Sequence, residues 1–590
     1  MKQIFTLVIS ILSFSTFAQS WDEIIKTVAS DRAAGDRFGI SVSISGNKAV
    51  VGADKKNSNT GAAYVFELNG GVWTETAKLE ASDGAVDDYF GDMVGISGNK
   101  IVIGAYLQDF DASGGSLAED AGAVYIFELN NDVWSETAKL VASDRTTGDN
   151  LGRNVSISGD RVIIGAWKES HDAMGGTEMT AAGSAYIFEL DGNVWSQTAK
   201  LVASDRDTDD NFGYDVSISG DKAIVGARLE DHDASGATEI SSSGSAYIFE
   251  LDGGTWTETA KLVASDRAVG DYFGYSVSID GDKAIVGSYL DNHNGQGSSE
   301  LGDVGSAYIF EVIGGVWTET AKLIASDADG QDRFGISVGI SGNKAIIGAY
   351  KQDLNATGTG LLQDAGAAYI FELTGGTWSE TEKIIASDRS EDDYFGYRVD
   401  ISGNKIIVAA IQEEHDVLGG TPLAGAGSAY MFTTCDINPT ITISNYTLST
   451  TLTDVTYQWL DCNDNNSIIA GATNQTYTPS ENGNYALIIN DGICADTSNC
   501  LAVAGLGVNT LTKAGFKMYP NPASQNITLD LGSLNQVNIS IHNSMGEEIY
   551  KTQTNNQTKF NISLAEFSNG IYFVNVQIGT EVFTQKIVKQ

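Results

Sequence analysis

Apolar and polar residues alternate in short runs along most of this chain, and the runs come in groups of four. Tyr214-Asp-Val216-Ser-Ile218-Ser219 alternates as a half-buried strand does, and Gly220-Asp221 separates it from the apolar run Lys222-Ala-Ile-Val-Gly-Ala227. A two-residue Gly-Asp connection between two such runs predicts a tight hairpin. After a long polar stretch, Gly244-Ser-Ala-Tyr247-Ile-Phe249-Glu-Leu251 reads as a third strand, and Asp252-Gly-Gly returns the chain through Thr255-Trp256 to Leu262 as a fourth. The group is an antiparallel meander.

The group recurs. Ala-Ser-Asp occurs seven times, with aspartates at Asp31, Asp83, Asp144, Asp205, Asp266, Asp327 and Asp388; the first interval is 52 residues and the other five are each 61. One such unit cannot bury its own apolar face, so tandem copies must stack, and a ring of four-stranded units is a β-propeller. The paired aromatics from Tyr64/Phe66 through Tyr247/Phe249 to Tyr430/Phe432 fit a core between blades. Trp73, Trp134, Trp195, Trp256, Trp317 and Trp378 mark the fourth strand, each ten residues before the next Ala-Ser-Asp aspartate. The seventh copy ends at Phe432 without a Trp, whereas Trp21 lies ten residues before Asp31. The segment from Trp21 is therefore expected to complete the last blade, closing the ring and removing the open sheet edge. The predicted fold class is all-β: a seven-bladed propeller closed by the N-terminal strand, plus two small β-sandwich domains.

These residues resemble FG-GAP repeats, the family of integrin-type propellers. Phe38-Gly39, Phe90-Gly91, Phe212-Gly213, Phe273-Gly274, Phe334-Gly335 and Phe395-Gly396 match the first half of its pattern, and Gly52-Ala53, Gly104-Ala105, Gly165-Ala166, Gly226-Ala227 and Gly348-Ala349 the second. Leu151-Gly152, Gly287-Ser288 and Ala409-Ala410 depart from it, and no proline follows the Gly-Ala pair. The family's calcium loops lie between the first two strands. Here that connection is only Gly46-Asn47 or its equivalent, so calcium by that route is not carried over.

The ends of the chain place it outside the cell. Met1-Lys2-Gln3, an apolar run Ile4 to Phe14 and Thr16-Phe17-Ala18 form a secretory signal over residues 1–18. No later apolar run approaches membrane-spanning length. The propeller is expected over 19–433, a module with short alternating strands around Trp459, Tyr477 and Tyr485 over 434–505, a linker over 506–514 and a last domain over 515–590. The middle module resembles a small immunoglobulin-like sandwich. It holds all four cysteines, for which nested bridges Cys435 to Cys500 and Cys462 to Cys494 are expected among three pairings. The last domain resembles the type A C-terminal sorting domain of the type IX secretion system of Bacteroidetes, through Tyr519-Pro520-Asn521-Pro522, Asn569-Gly570-Ile571-Tyr572 and Lys586-Ile587-Val588-Lys589. That resemblance implies the type IX machinery as partner, and release or surface attachment after export.

Formal net charge is −42; residues 434–510 hold seven acidic and no basic residues and the last eighty are nearly balanced, so almost all of it lies on the propeller. Such a surface excludes nucleic acid as a partner and reads most simply as a solubilising coat. Candidate chemistry lies on the face carrying the strand two-to-three and four-to-one loops, since loops on a rigid scaffold carry variable binding groups. His171-Asp172, His232-Asp233, His293 and His415-Asp416 share one repeat-equivalent position there and are the candidate binding residues. Phe110 and Leu354 occupy it in other copies, so packing of the ring is the plainer reading and metal ligation the sharper one. Asp36, Asp88, Asp149, Asp210, Asp271, Asp332 and Asp393 recur five residues after each Ala-Ser-Asp aspartate, as turn residues or as cation ligands. Asp327, Asp329 and Asp332 form the one calcium candidate, Ca2+ being the only cofactor entertained. No nucleophile elbow, zincin helix or phosphate loop is present. The expectation is a secreted or surface-held, non-enzymatic protein binding an extracellular glycan or protein. The alternatives are a carbohydrate-active lyase or glycosidase and a structural, cation-stabilised surface protein.

Overall fold

The computed structural model describes residues 21–590 except 177, 237, 293–301, 356–359, 435–438, 454, 491–494, 505–515, 533, 535 and 580; the expected signal at 1–18 lies outside the described residues. The chain divides into two units, 1–436 and 437–590.

In the first unit seven four-stranded antiparallel sheets are formed. Blade one comprises Val42–Ser45, Lys48–Ala53, Ala62–Asn69 and Val72–Leu79. Blades two to six repeat this order. Second strands are apolar on both sides and fully buried, as Ala49, Val50 and Val51 are, because each blade packs on two neighbours. Fourth strands lie at the outer edge and alternate exposed with covered positions. Blade seven has Phe395–Ser402, Lys405–Ala410 and Ser428–Thr434 from the end of the array, and its fourth strand is Trp21–Thr27. Trp21 pairs with Thr434 and Lys26 with Tyr430. The ring is closed as the offset tryptophans require.

Between blades the core is aromatic and aliphatic. Phe90, Tyr125 and Phe127 of blade two pack against Val50 and Val65 of blade one, with Phe90 edge-on to both rings at 5.5 and 6.1 Å. The glycines of the repeat meet there. A Cβ on Gly52 would stand 1.9 Å from the carbonyl oxygen of Gly91, whose own φ is +89°, so the Gly-Ala strand end of one blade and the Phe-Gly turn of the next leave no room for side chains.

Two rings of side-chain hydrogen bonds run around the propeller. Near the axis, the last residue of each first strand accepts the turn N–H of the next blade, from Ser45 to Gly98 at 3.1 Å round to Ser402 and Gly46 at 3.1 Å. At the periphery, the serine of each Ala-Ser-Asp donates to a fourth-strand Glu or Gln of the neighbouring blade, beginning with Ser30 to Glu75. The circuit ends with Ser387 donating to Glu23 of the N-terminal strand at 2.8 Å.

The second unit holds two separate cores. One gathers Leu448, Trp459, Tyr485, Leu487, Ile489 and Val503 under two small sheets. The other gathers Ile527, Leu529, Ile539, Ile541, Val574 and Ile587 between a three-stranded and a four-stranded sheet. Tyr519 pairs with Thr528, Gly570 with Lys589 and Tyr572 with Ile587, and Asn521 donates to the carbonyl of Lys586 at 2.8 Å, so the ends of the sorting motif are hydrogen-bonded together. Both Pro520 and Pro522 follow cis peptide bonds.

The cysteine pairing differs from the expectation. Cys462 is bonded to Cys500, with Cα atoms 6.4 Å apart, which overturns both Cys462 to Cys494 and Cys435 to Cys500. The register explains it. Asp461 and Leu501 flank Tyr485 from opposite sides of one strand, which brings their neighbours Cys462 and Cys500 within bonding reach. Cys435 and Cys494 lie outside the described residues.

Trp21 is 4% exposed, in one cluster with Tyr430 and Phe432. Trp21→Ala is expected to cost about 3–5 kcal/mol of unfolding free energy, whereas Val72→Ala, at a position 55% exposed, should stay within about 0.5 kcal/mol. Urea unfolding curves of the two variants check both.

Candidate functional site: the loop face and the axial mouth

On the long-loop face a polar network is repeated around the ring. Each Ala-Ser-Asp aspartate accepts the hydroxyl of a third-strand tyrosine, at 2.5 Å for Tyr64 and Asp31 and at 2.8 Å for Tyr430 and Asp388. Each also pairs with a fourth-strand lysine, such as Lys200 with Asp144 at 2.7 Å and, from the N-terminal strand, Lys26 with Asp388 at 2.6 Å. Burial opposes ionisation of Asp31, but the bonds from Tyr64 and Lys78 hold its carboxyl down to about 2. The aspartate five residues further on is buried and accepts the N–H of the residue three before it, as Asp88 does from Ala85 at 2.6 Å and Asp332 from Asp329 at 2.7 Å.

A third group distinguishes the copies. Below each long loop stands a fully buried residue: Gln108, Glu169, Glu230, Asp291, Gln352 or Glu413. Where it is Gln, the amide donates to the second aspartate, at 2.8 Å to Asp88 and 2.9 Å to Asp332. Where it is Glu, the residue two positions on is histidine. His171, His232 and His415 bond Glu169, Glu230 and Glu413 through Nδ1 at 3.0, 3.1 and 3.2 Å and through their backbone N–H. Phe110 and Leu354 follow the two glutamines. The histidines thus sit at separate blades, each tied to its own carboxylate, and His293 lies outside the described residues. Burial works against protonation of His232, yet the bond to Glu230 raises its affinity for a proton.

Asp172 and Asp416 each accept two backbone N–H groups of their own loops, and Asp233 accepts the N–H and hydroxyl of Ser235. Of the calcium candidate, Asp327 bonds Tyr369 and Lys383, Asp332 bonds the N–H of Asp329 and Gln352, and Asp329 accepts from Gly330. The three carboxylates are turned to separate partners. Among the described residues no group of three or more His, Cys, Asp or Glu converges as a metal site.

Sequence reading by repeat missed the axis. First strands line a channel that encloses about 870 Å³ of empty space, part of it open to solvent. The residues after Phe-Gly include Arg153, Tyr214, Tyr275 and Ile336, which line the channel, and those after Gly-Ala include Tyr106, Trp167, Arg228 and Tyr289, which pack against them at its mouth. These are among the positions at which the copies differ, and that divergence is the signal that locates them. The rings form a continuous arc, Trp167 to Tyr214 at 6.1 Å, Tyr214 to Tyr275 at 5.1 Å and Tyr275 to Tyr289 at 4.3 Å. Beside the arc, Arg153 is ion-paired with Asp92 and Arg37 approaches Asp54 at 3.4 Å. Burial first, and the nearby Asp92 second, push the Asp54 carboxyl up to about 7.

Burial raises other loop-face carboxyls too: Asp88 to about 6, Asp210 and Asp332 to about 7, and Asp393, beside Glu413, to about 8. A carboxyl whose folded pKa lies above its unfolded value holds a proton that the unfolded chain releases. Its stabilising share is complete below the unfolded value and is lost as pH rises through the folded one. The melting midpoint should therefore fall as pH rises from about 5 to about 8.5, and Asp210→Asn should flatten that slope; calorimetry across the range checks both.

The chain is similar to two ulvan lyases. One, endo-acting, from Formosa agariphila, is 30% identical over 78 residues, which is 13% of this chain and 15% of that protein. The other, from Nonlabens ulvanivorans, is 23% identical over 274 residues, 41% of this chain and 51% of that protein. The matches thus span at most about half the length of these relatives. Among solved structures, one titled as the mitotic checkpoint complex aligns at 10% identity with a TM-score of 0.40, over 73% of this chain and 100% of the other. Residues 517–590 match the secretion system C-terminal sorting domain, so the protein is exported, to be secreted or held at the outer surface. The FG-GAP repeat pattern matches 21–66, 73–127, 134–188, 195–249, 256–310, 317–371 and 378–432, each match running from the fourth strand of one blade through three strands of the next, and the chain belongs to the FG-GAP repeat family.

Proposed function

We propose that the exported propeller is a non-enzymatic binding protein for an extracellular polysaccharide, engaged at the axial mouth of the long-loop face. One observation carries this reading: the copies conserve their blade-to-blade contacts but diverge at the two positions that ring the mouth. Divergence there turns a symmetric scaffold into an asymmetric surface of tyrosine, tryptophan and arginine. Rigid aromatic faces flanked by hydrogen-bond donors suit a sugar chain, whose rings have an apolar face and a polar rim. The histidines and Asp172, Asp233 and Asp416 would then stand further out, on the loops surrounding the mouth.

A second reading, polysaccharide lyase, is favoured by the similarity to an ulvan lyase over 274 residues. In it Asp54, with its carboxyl near 7, is the group suited to proton transfer at neutral pH. Affinity electrophoresis of the mature protein through a panel of polysaccharide gels, with product analysis, separates the two. Retardation without new chain ends is the expected result. Appearance of unsaturated ends, abolished by Asp54→Asn, would move the protein to the lyases, and free passage through every gel would remove both readings.

A further inference from the structure

Among the described residues the arginines of the propeller are almost all spent. Arg37, Arg153, Arg161 and Arg333 face carboxylates. The loop arginines donate to loop acceptors, as Arg267 does to the carbonyl of Asp231 and the hydroxyl of Ser243, both at 2.6 Å. Arg228 differs from all of these. Its guanidinium lies over the Tyr214 ring at 4.0 Å and 5.8 Å from that of Tyr272, and it has no hydrogen-bond or ion-pair partner among the described residues. Arg398, in the channel lining, lies over Tyr397 at 4.9 Å and donates one bond to a backbone carbonyl; the Asp215 carboxylate acts on it electrostatically without forming an ion pair.

A guanidinium held over an aromatic ring without a carboxylate partner has Nη–H groups to offer, and their fork matches two oxygens of a carboxylate or sulfate. On a chain of net charge −42, leaving Arg228 at the mouth without a carboxylate partner is the exception that needs one. We infer that the axial mouth selects an acidic sugar, one bearing a carboxylate or sulfate, with the Arg228 guanidinium taking the anionic group, Arg398 as the second cation and Tyr214 and Tyr275 as the stacking floor. The inference rests on the polysaccharide-binding reading above and names its ligand class. The acidic coat sets a further condition. A dense polyanion meets carboxylates on every side, whereas one charged unit at the mouth feels mainly the cations within a Debye length, about 8 Å at physiological salt. The site therefore prefers short or sparsely charged acidic chains.

The test is titration calorimetry of the mature full-length protein with tri-galacturonate, a monosulfated galactotriose and uncharged galactotriose. Both acidic probes should bind, or the one carrying the preferred anion, with the uncharged sugar at least about tenfold weaker. Arg228→Gln should weaken the acidic probes about 10- to 100-fold, the worth of a charge-assisted bond, and should weaken the uncharged sugar by much less. Arg228→Lys, which keeps the charge and loses the fork, should recover only part. Equal affinity for the uncharged sugar, or Arg228→Gln binding the acidic probes as the parent does, overturns the inference. So does silence with all three sugars in a protein that is still retarded by an uncharged polysaccharide gel, an outcome that spares the broader reading; only free passage through every gel removes both. A dinucleotide binding as tightly as tri-galacturonate would also overturn the assignment to sugars.

Discussion

The propeller depends on six residue pairings between its two ends. Until Trp21–Thr27 lies against Ser428–Thr434, blade seven has three strands and an open edge, and Tyr430 and Phe432 lack the Trp21 ring that covers them. The same strand carries Glu23 and Lys26 into the positions that fourth strands fill elsewhere, so one segment completes the peripheral ring at Ser387 and the lysine pair at Asp388. A ring left open at this point loses a strand pairing, a core contact and two links of otherwise unbroken circuits together.

What the ring holds in place follows from that closure. First strands converge on the axis, and their serines, with Asp215 and Asp400, bond the N–H groups of the next blade, as Ser41 does Val94 at 3.0 Å. Blade spacing is thereby set close to the axis, where the glycine contacts permit the tightest approach. The mouth is consequently a rigid frame, and the side chains on it are free to vary because none is needed for the frame.

The regular part of this architecture was legible because it is written seven times. Alternation located the strands, the interval located the blades, and the displacement of Trp21 from the other tryptophans located the closure. Two features were hidden by the same regularity. What recurs is His171, His232 and His415, whereas Tyr214 and Arg228 at the mouth and Arg398 in the channel lining stand out only where the copies differ. The dependence of histidine on a buried Glu two residues earlier was also present in the sequence, in the contrast between Glu169 with His171 and Gln108 with Phe110. It needed the fold to show that Glu169 is buried. The cysteine pairing was beyond reach for another reason: the module's strands are as short as two or three residues, and patterns that short do not determine register.

The offset between the sequence unit and the blade has one more consequence. The terminal strand finds its seat as an intramolecular ligand, at an effective concentration that for a flexible tether is in the millimolar range. A second molecule offers an identical strand to the same seat, so a ring that has opened at this point can be completed by another chain, the more readily the higher the concentration. Confinement at a crowded cell surface would favour such linked rings, while dilution after release would favour solitary ones.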